Sequence, residues 1–123
     1  LTGVMNRVQV VKENIIIYKK SKNSYHYLLN AGDLTVQKNE DNSIDLFDSS
    51  NKDAAVFHID APFMYDSKGE TSKSVKTTVE NQGDGKYLLS YTPDEKWLKD
   101  KNRSYPVVLD PTITTRMTLI CMP

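Results

Sequence analysis

The side chains most capable of acid–base or metal chemistry are spread thinly along this chain. His26 and His58 stand 32 positions apart on separate predicted strands, and neither has another metal-binding side chain close to it in sequence. A zinc site needs three or four converging nitrogen or sulfur ligands. Both histidines are therefore predicted to be ordinary residues of a sheet surface.

Three carboxylates, Asp60, Asp66 and Glu70, flank a short apolar segment at 61–65. A glycosidase uses two carboxylates about 5 to 10 Å apart. The sequence does not require these three to share a cleft, so a hydrolase is kept only as an alternative. No G-x-S-x-G motif is present, and Cys121 lies near the end of the chain, which does not favour a nucleophilic site.

The acidic turns at 41–48 and 48–53 carry the oxygen ligands that Ca²⁺ prefers. Both lack the glycine of the EF-hand loop at its sixth position, and the loop starting at Asp41 has no glutamate at its twelfth. We interpret these segments as solvated connections, and no metal or cofactor is predicted.

Aromatic side chains offer another kind of site, because seven Tyr and one Trp could stack on sugar rings. However, Tyr25, Tyr27, Tyr87 and Tyr91 follow the two-residue period of strands. That period favours packing in the core. A carbohydrate-binding module is kept as the alternative function.

Composition limits the classes of partner. The 16 basic and 16 acidic residues cancel, which argues against a nucleic-acid binder and against a basic membrane-binding surface. No apolar run approaches the roughly 20 residues of a membrane-spanning helix. The single cysteine forms no internal disulfide, and the start at Leu1 leads us to expect a piece of a longer polypeptide.

Alternating apolar residues, separated by turns rich in Asn, Asp and Gly, predict an all-β fold. The pattern favours an antiparallel β-sandwich or meander, formed as one domain over 1–115 with a tail or the start of a following segment at 116–123. Asp84–Gly85 is the best hairpin signal. The run at 15–18 is apolar on both faces and predicts a central strand covered on both sides.

One short helix is predicted near residues 93–100. Thr92 is expected to cap it, Pro93 to occupy its first position, and Glu95 to complete a capping box. Trp97 and Leu98 are expected to close one end of the sheet core.

The segment 102–113 is predicted to be the closing strand of the domain. Pro106 suits an edge strand or the first residue of a strand. Pro111 favours extended structure at Asp110. We interpret Asp110 as a turn residue that binds local backbone amides, rather than as a catalytic group.

Three segments in this order carry a resemblance. They are V-K-E-N-I-I-I at 11–17, A-P-F-M-Y-D-S-K-G-E at 61–70 and Y-P-V-V-L-D-P-T-I at 105–113. Together they resemble a β-domain of large bacterial surface proteins, namely the wall-associated, Rhs (YD-repeat) and DNRLRE-domain proteins of Gram-positive bacteria.

That resemblance implies a non-catalytic structural or interaction module of a large secreted or cell-wall-associated protein. Some proteins of this kind carry a C-terminal toxin. It implies an extracellular or cell-wall location. The expected partners are neighbouring domains of the same polypeptide and cell-wall glycan, with no nucleic acid and no membrane insertion. No catalytic residue is carried over, and the chain is expected not to be an enzyme.

Overall fold

The structure is a computed structural model that describes residues 14–19, 24–51, 53–111 and, for the backbone alone, 118–122. These ranges contain eleven strands and one helical turn. They are β1 (Ile15–Ile17), β2 (Tyr25–Asn30), β3 (Leu34–Lys38), β4 (Ile44–Asp48), β5 (Phe57–Ile59), β6 (Phe63–Tyr65), β7 (Thr71–Ser72), β8 (Val75–Gly83), β9 (Lys86–Pro93), α1 (Glu95–Leu98), β10 (Val107–Asp110) and β11 (Thr118–Met122).

The strands form three antiparallel sheets, in the orders β1-β10-β6-β7, β11-β2-β9-β8 and β3-β4-β5. The predicted all-β antiparallel class is confirmed. The pairing of β11 with β2 places 118–122 in a sheet, while the predicted domain boundary at 115 stays a prediction. Among the described residues, no helix has the length and apolar character needed to cross a membrane.

One apolar core receives side chains from all three sheets. Alternation places them there, because residues i and i+2 of a strand share a face. Tyr27 and Leu29 of β2 are buried together in this way. The same holds for Ile44 with Leu46, Val75 with Thr77, and Leu89 with Tyr91. These pairs follow the two-residue alternation on which the all-β prediction rests.

The predicted hairpin at Asp84–Gly85 joins β8 to β9. Both residues have positive φ, 55° and 75°, as the two-residue turn that matches strand twist requires. The turn also rests on the β2–β3 connection, where the amide of Ala31 donates to the carbonyl of Gly85 at 2.8 Å. A Cβ on Gly85 would lie 2.2 Å from the carbonyl oxygen of Gly32.

The expectation of a central strand at 15–18 is wrong. In the described ranges β1 pairs only with β10 and ends its sheet. Ile17 is buried, but Ile16 is 47% exposed and Tyr18 63% exposed. Three consecutive isoleucines hide the alternation, so the run looked apolar on both faces although one face is solvent-exposed.

The short helix exists but begins later than predicted. Thr92 and Pro93 belong to β9, where they pair with Lys76 and Val75, because the β8–β9 ladder continues to that point. Asp94 caps the helix instead and accepts a hydrogen bond from the amide of Lys96 at 3.4 Å. Trp97 and Leu98 pack against the core while remaining partly exposed.

Asp110 is not a turn residue. It is the last residue of β10, lies opposite Phe63 and is 4% exposed. Pro106 precedes this strand and follows a cis peptide bond with Tyr105. Since β10 lies between β1 and β6, its ladder needs amide donors on both sides, which places the proline just outside it.

Candidate functional site

Two clusters of charged side chains stand out among the described residues. The Arg103 cluster consists of Asp66, Glu70, Asp100 and Arg103. The His58 cluster consists of Asp45, His58 and Asp60.

The Arg103 cluster joins the β6–β7 connection to the loop that leads into β10. Nη1 of Arg103 donates to Oδ2 of Asp66 at 2.9 Å and to Oε2 of Glu70 at 3.2 Å. The side chains of Arg103 and Asp66 are 5% and 1% exposed, whereas that of Glu70 is 70% exposed. The pair with Asp66 is therefore the enclosed half of the cluster.

The same guanidinium also holds the helical turn. Its Nε donates to the carbonyl oxygen of Trp97 at 2.9 Å, and its central carbon lies 3.6 Å from the centroid of the Trp97 ring. A guanidinium over an indole face is attracted by the ring quadrupole. Asp100 adds a longer contact, 3.8 Å from Nη2. Arg103 thus fastens α1 to the β6–β7 connection.

Local backbone amides occupy the other oxygen of Asp66. Oδ1 accepts from the amides of Lys68 and Glu70, each at 2.9 Å, while the Asp66 amide donates to the carbonyl of Glu70 at 2.9 Å. Burial alone would raise the pKa of Asp66. The hydrogen bonds from Arg103 and from these amides outweigh burial and lower the pKa to about 2.

These contacts define what the Arg103 cluster can do. A general acid needs a carboxyl group with a raised pKa, and Asp66 has the reverse. Arginine is charged at all working pH values and cannot exchange a proton with a substrate. The predicted grouping of three carboxylates is split, because Asp66 and Glu70 meet at Arg103 whereas Asp60 lies beside His58.

The His58 cluster lies on the solvent face of the β3-β4-β5 sheet. Asp45 of β4 and His58 of β5 are direct cross-strand partners. Nδ1 of His58 lies 2.5 Å from Oδ1 of Asp45, and Nε2 lies 3.0 Å from Oδ1 of Asp60. The side-chain Nδ2 of Asn39 donates to Oδ2 of Asp45 at 2.9 Å.

Electrostatics favour a proton on both ring nitrogens. The hydrogen bond to Asp45 and the charges of Asp45 and Asp60 raise the pKa of His58, against a smaller opposing effect of burial. Burial would raise the pKa of Asp45, but the bonds from His58 and Asn39 lower it. A general base needs a ring nitrogen facing its substrate, and here each nitrogen faces a carboxylate.

The acidic turns bind their own backbones. Oδ1 of Asp41 accepts from the amide of Ser43 at 2.9 Å, and Oδ1 of Asp48 accepts from the amide of Ser50 at 3.0 Å. Hydrogen bonds from these serines lower the pKa of both carboxyl groups. Within the described ranges, no three His, Cys, Asp or Glu side chains are arranged to hold a metal ion.

Two of the four tyrosines predicted to be internal are buried, and the other two are partly buried. Tyr27 and Tyr91 are 1% exposed and meet edge to face at 5.8 Å, while Tyr25 and Tyr87 pack against the core from its margin. His26 lies on β2, and its Nδ1 is 2.7 Å from the hydroxyl of Ser90.

Two surface grooves lie apart from both clusters. One, of about 570 Å³, runs between α1 and the ends of β8 and β9. The other, of about 510 Å³, separates β3 from β8 and contains Lys38, Lys76 and Tyr87.

The strand pattern of the sequence indicates the His58 cluster but not the Arg103 cluster. Asp45 lies between Ile44 and Leu46, and His58 lies between Phe57 and Ile59, so pairing the two predicted strands puts both polar residues on the outer face. Arg103 is 37 residues from Asp66, and no periodic signal links the two positions.

Comparison with known proteins gives three relatives, all from Bacillus. The chain is 39% identical over 110 residues to the tRNA nuclease WapA of Bacillus subtilis and to the tRNA(Glu)-specific nuclease WapA of Bacillus subtilis subsp. natto. It is 38% identical over 110 residues to the tRNA3(Ser)-specific nuclease WapA of Bacillus spizizenii. Each match covers 83% of this chain and 4% of the relative. No protein-family model and no solved structure matches the chain.

These relatives correct several expectations. They are named tRNA nucleases, which overturns the expected assignment to Rhs, DNRLRE and cell-wall surface proteins. The same names overturn the predictions of a non-catalytic module, of a protein that is not an enzyme and of partners that exclude nucleic acid. They give the carbohydrate-binding and hydrolase alternatives no better support.

Zero net charge is a poor guide to nucleic-acid partners here, for a physical reason. A net charge of zero describes these 123 residues, but the chain spans only 4% of the relatives' length. Phosphate contacts depend on clustered local charge rather than on the average of one segment.

Proposed function

We propose that this chain is a β-domain of a tRNA nuclease. The observation that carries the proposal is the identity of 38–39% over 110 residues with three relatives that are all named tRNA nucleases. Each match covers 83% of this chain, so the likeness extends over most of it rather than over one motif.

The choice of tRNA does not follow from this domain. Two relatives are named for different tRNAs, tRNA(Glu) and tRNA3(Ser), yet their identities to this chain differ by only one percentage point, 39% and 38%. We therefore propose that residues selecting the tRNA lie in other parts of the nuclease.

A cleavage assay on the full-length polypeptide that contains this chain tests the function. Purified polypeptide is incubated with total tRNA and, separately, with ribosomal RNA, and the products are separated on denaturing gels. We expect discrete tRNA fragments and intact ribosomal RNA. Intact tRNA at equimolar enzyme would overturn the proposal.

The 123-residue chain assayed alone in parallel locates the activity. Cleavage by both proteins places the nuclease centre within this domain, and cleavage by the full polypeptide alone places it elsewhere.

The extracellular or cell-wall location stays a proposal of its own. An antibody raised against the 123-residue chain, applied to medium, wall and cell fractions, tests it. Recovery of the polypeptide only inside the cell would contradict it.

A further inference from the structure

We propose that the His58 cluster is a pH-dependent clasp that holds β5 against β4, engaged while the imidazole carries both protons and released when a rise in pH removes one of them. The proposal concerns the stability of the β3-β4-β5 sheet and does not depend on nuclease activity.

The clasp consists of two contacts made by the His58 ring. His58 is the middle residue of a three-residue strand, and it contacts Asp45 on the neighbouring strand and Asp60 immediately after its own strand. Only the doubly protonated imidazolium can donate to two carboxylates at once, because a neutral imidazole has one N–H. Loss of one proton therefore breaks one of the two contacts.

The positive charge that this proton gives His58 offsets the negative charges around the ring. Among the described residues, the charged groups that act on the ring include three carboxylates, those of Asp45 from β4, Asp60 beyond β5 and Asp41 from the β3–β4 turn. When His58 becomes neutral, these carboxylates lose the positive charge that separates them, and their mutual repulsion acts on the outer strand.

The strand held by the clasp has few other contacts. It pairs with β4 through three residues and forms the end of its sheet in the described ranges. The segment before it is exposed at 53–56 and is joined to β4 by the bond from the amide of Val56 to the carbonyl of Leu46 at 2.7 Å. Ile59 alone of the three β5 residues is fully buried.

The direction of the pH dependence follows from linkage. The folded chain raises the pKa of His58 above its ordinary value of 6.5, chiefly through the hydrogen bond to Asp45. A raised pKa stabilises the fold fully below the unfolded value and progressively less as pH rises through the folded value. The clasp therefore weakens above pH 6.5, in the window that ends just beyond the folded pKa of His58.

Amide hydrogen exchange combined with NMR titration of the 123-residue chain tests the clasp. We expect the His58 ring to titrate above pH 6.5. Protection of the β5 amides, corrected for intrinsic exchange, should fall about twofold to fivefold across that titration, the effect that an exposed ion pair exerts. Core amides of β9 should not follow it.

Three variants separate the clasp from general effects. His58→Gln should remove the pH dependence of β5 protection. His26→Gln should keep it, because His26 contacts the hydroxyl of Ser90 rather than a carboxylate. Asp60→Asn should lower the titration midpoint of His58 and shift the loss of protection to lower pH.

The proposal is overturned if His58 titrates at or below pH 6.5, if β5 protection stays constant through the titration, or if His58→Gln retains the pH dependence. Should His58→Gln fail to fold, the midpoint and exchange profile of Asp60→Asn decide the matter by the same criteria.

Discussion

Arg103 combines ion pairs, a hydrogen bond to a backbone carbonyl and a contact with an aromatic ring. It donates to two carboxylates and one carbonyl and covers an indole ring. A planar guanidinium with five donors suits this arrangement, whereas a lysine ammonium would satisfy only part of it. The sequence could not reveal it, since the partners Asp66 and Trp97 lie on different elements.

Replacing Arg103 should destabilise the domain strongly. Arg103→Ala leaves the enclosed carboxylate of Asp66 without its cation and removes the cover of Trp97. Breaking an enclosed ion pair from one side is among the costliest single changes. We expect the midpoint of thermal unfolding to fall by roughly 10 °C, measured by circular dichroism, and Arg103→Lys to fall in between.

The matched control is Lys99→Ala. Lys99 pairs with Glu95 on the surface of α1, with side chains 73% and 65% exposed. Such a pair contributes less than about 0.5 kcal/mol. Equal losses in Arg103→Ala and Lys99→Ala would show that the Arg103 cluster has no special role.

At the scale of elements, the strands were the most predictable part of the fold. Strict alternation, as in Tyr27 and Leu29, identifies the buried face from local sequence alone. The prediction failed where local information is insufficient. Whether β9 continues through Pro93 depends on its partner β8, and whether β1 is central depends on which strands flank it.

The hairpin joining β8 to β9 provides an element-scale prediction. Gly85→Ala places a methyl group 2.2 Å from the carbonyl oxygen of Gly32 and imposes a positive φ of 75° on alanine. We expect a loss of about 2 kcal/mol or more in the free energy of unfolding, measured in urea.

Gly69→Ala separates the effect of the positive φ from the effect of the steric contact with Gly32. Gly69 also has a positive φ, 88°, but a Cβ there meets nothing within 4 Å. It should therefore lose only the backbone contribution, about 1 kcal/mol. Similar losses at the two glycines would contradict the role assigned to the contact between turns.

At the scale of the whole molecule, equal numbers of acidic and basic residues conceal very different environments. Asp66 is enclosed by donors, and its pKa of about 2 lies below the unfolded value of 3.8. A lowered carboxyl pKa stabilises the fold above the unfolded value, and that contribution is lost as pH falls through the folded one. Acid should therefore weaken the domain between pH 3.8 and about 2.

Urea unfolding midpoints measured from pH 5 to pH 2 test this. Asp66→Asn should lower stability at pH 5 and flatten the decline toward pH 2, because the titrating carboxyl group is gone. Asp48→Asn is the comparison, since Asp48 is exposed and its pKa is lowered only by a local serine. Asp48→Asn should leave most of the decline intact. A decline that is unchanged in Asp66→Asn would refute the assignment.

Function was less predictable than fold at this scale. The described ranges show two clusters whose groups are engaged with one another, and neither carries the signature of a nuclease. The tRNA connection came from relatives many times longer than this chain. An average over 123 residues contains no information about residues encoded elsewhere in such a polypeptide.

The contact between the Asp84–Gly85 hairpin and the Gly32 turn also bears on protein engineering. A hairpin tip is ordinarily a permissive place to insert an epitope, a fluorophore site or a circular-permutation break. Here the carbonyl of Gly85 accepts from Ala31 of the adjoining turn. An insertion at Asp84–Gly85 would therefore disturb both the β8–β9 turn and the β2–β3 connection that contacts it. The exposed stretches 49–51 and 53–55 are better places for a graft.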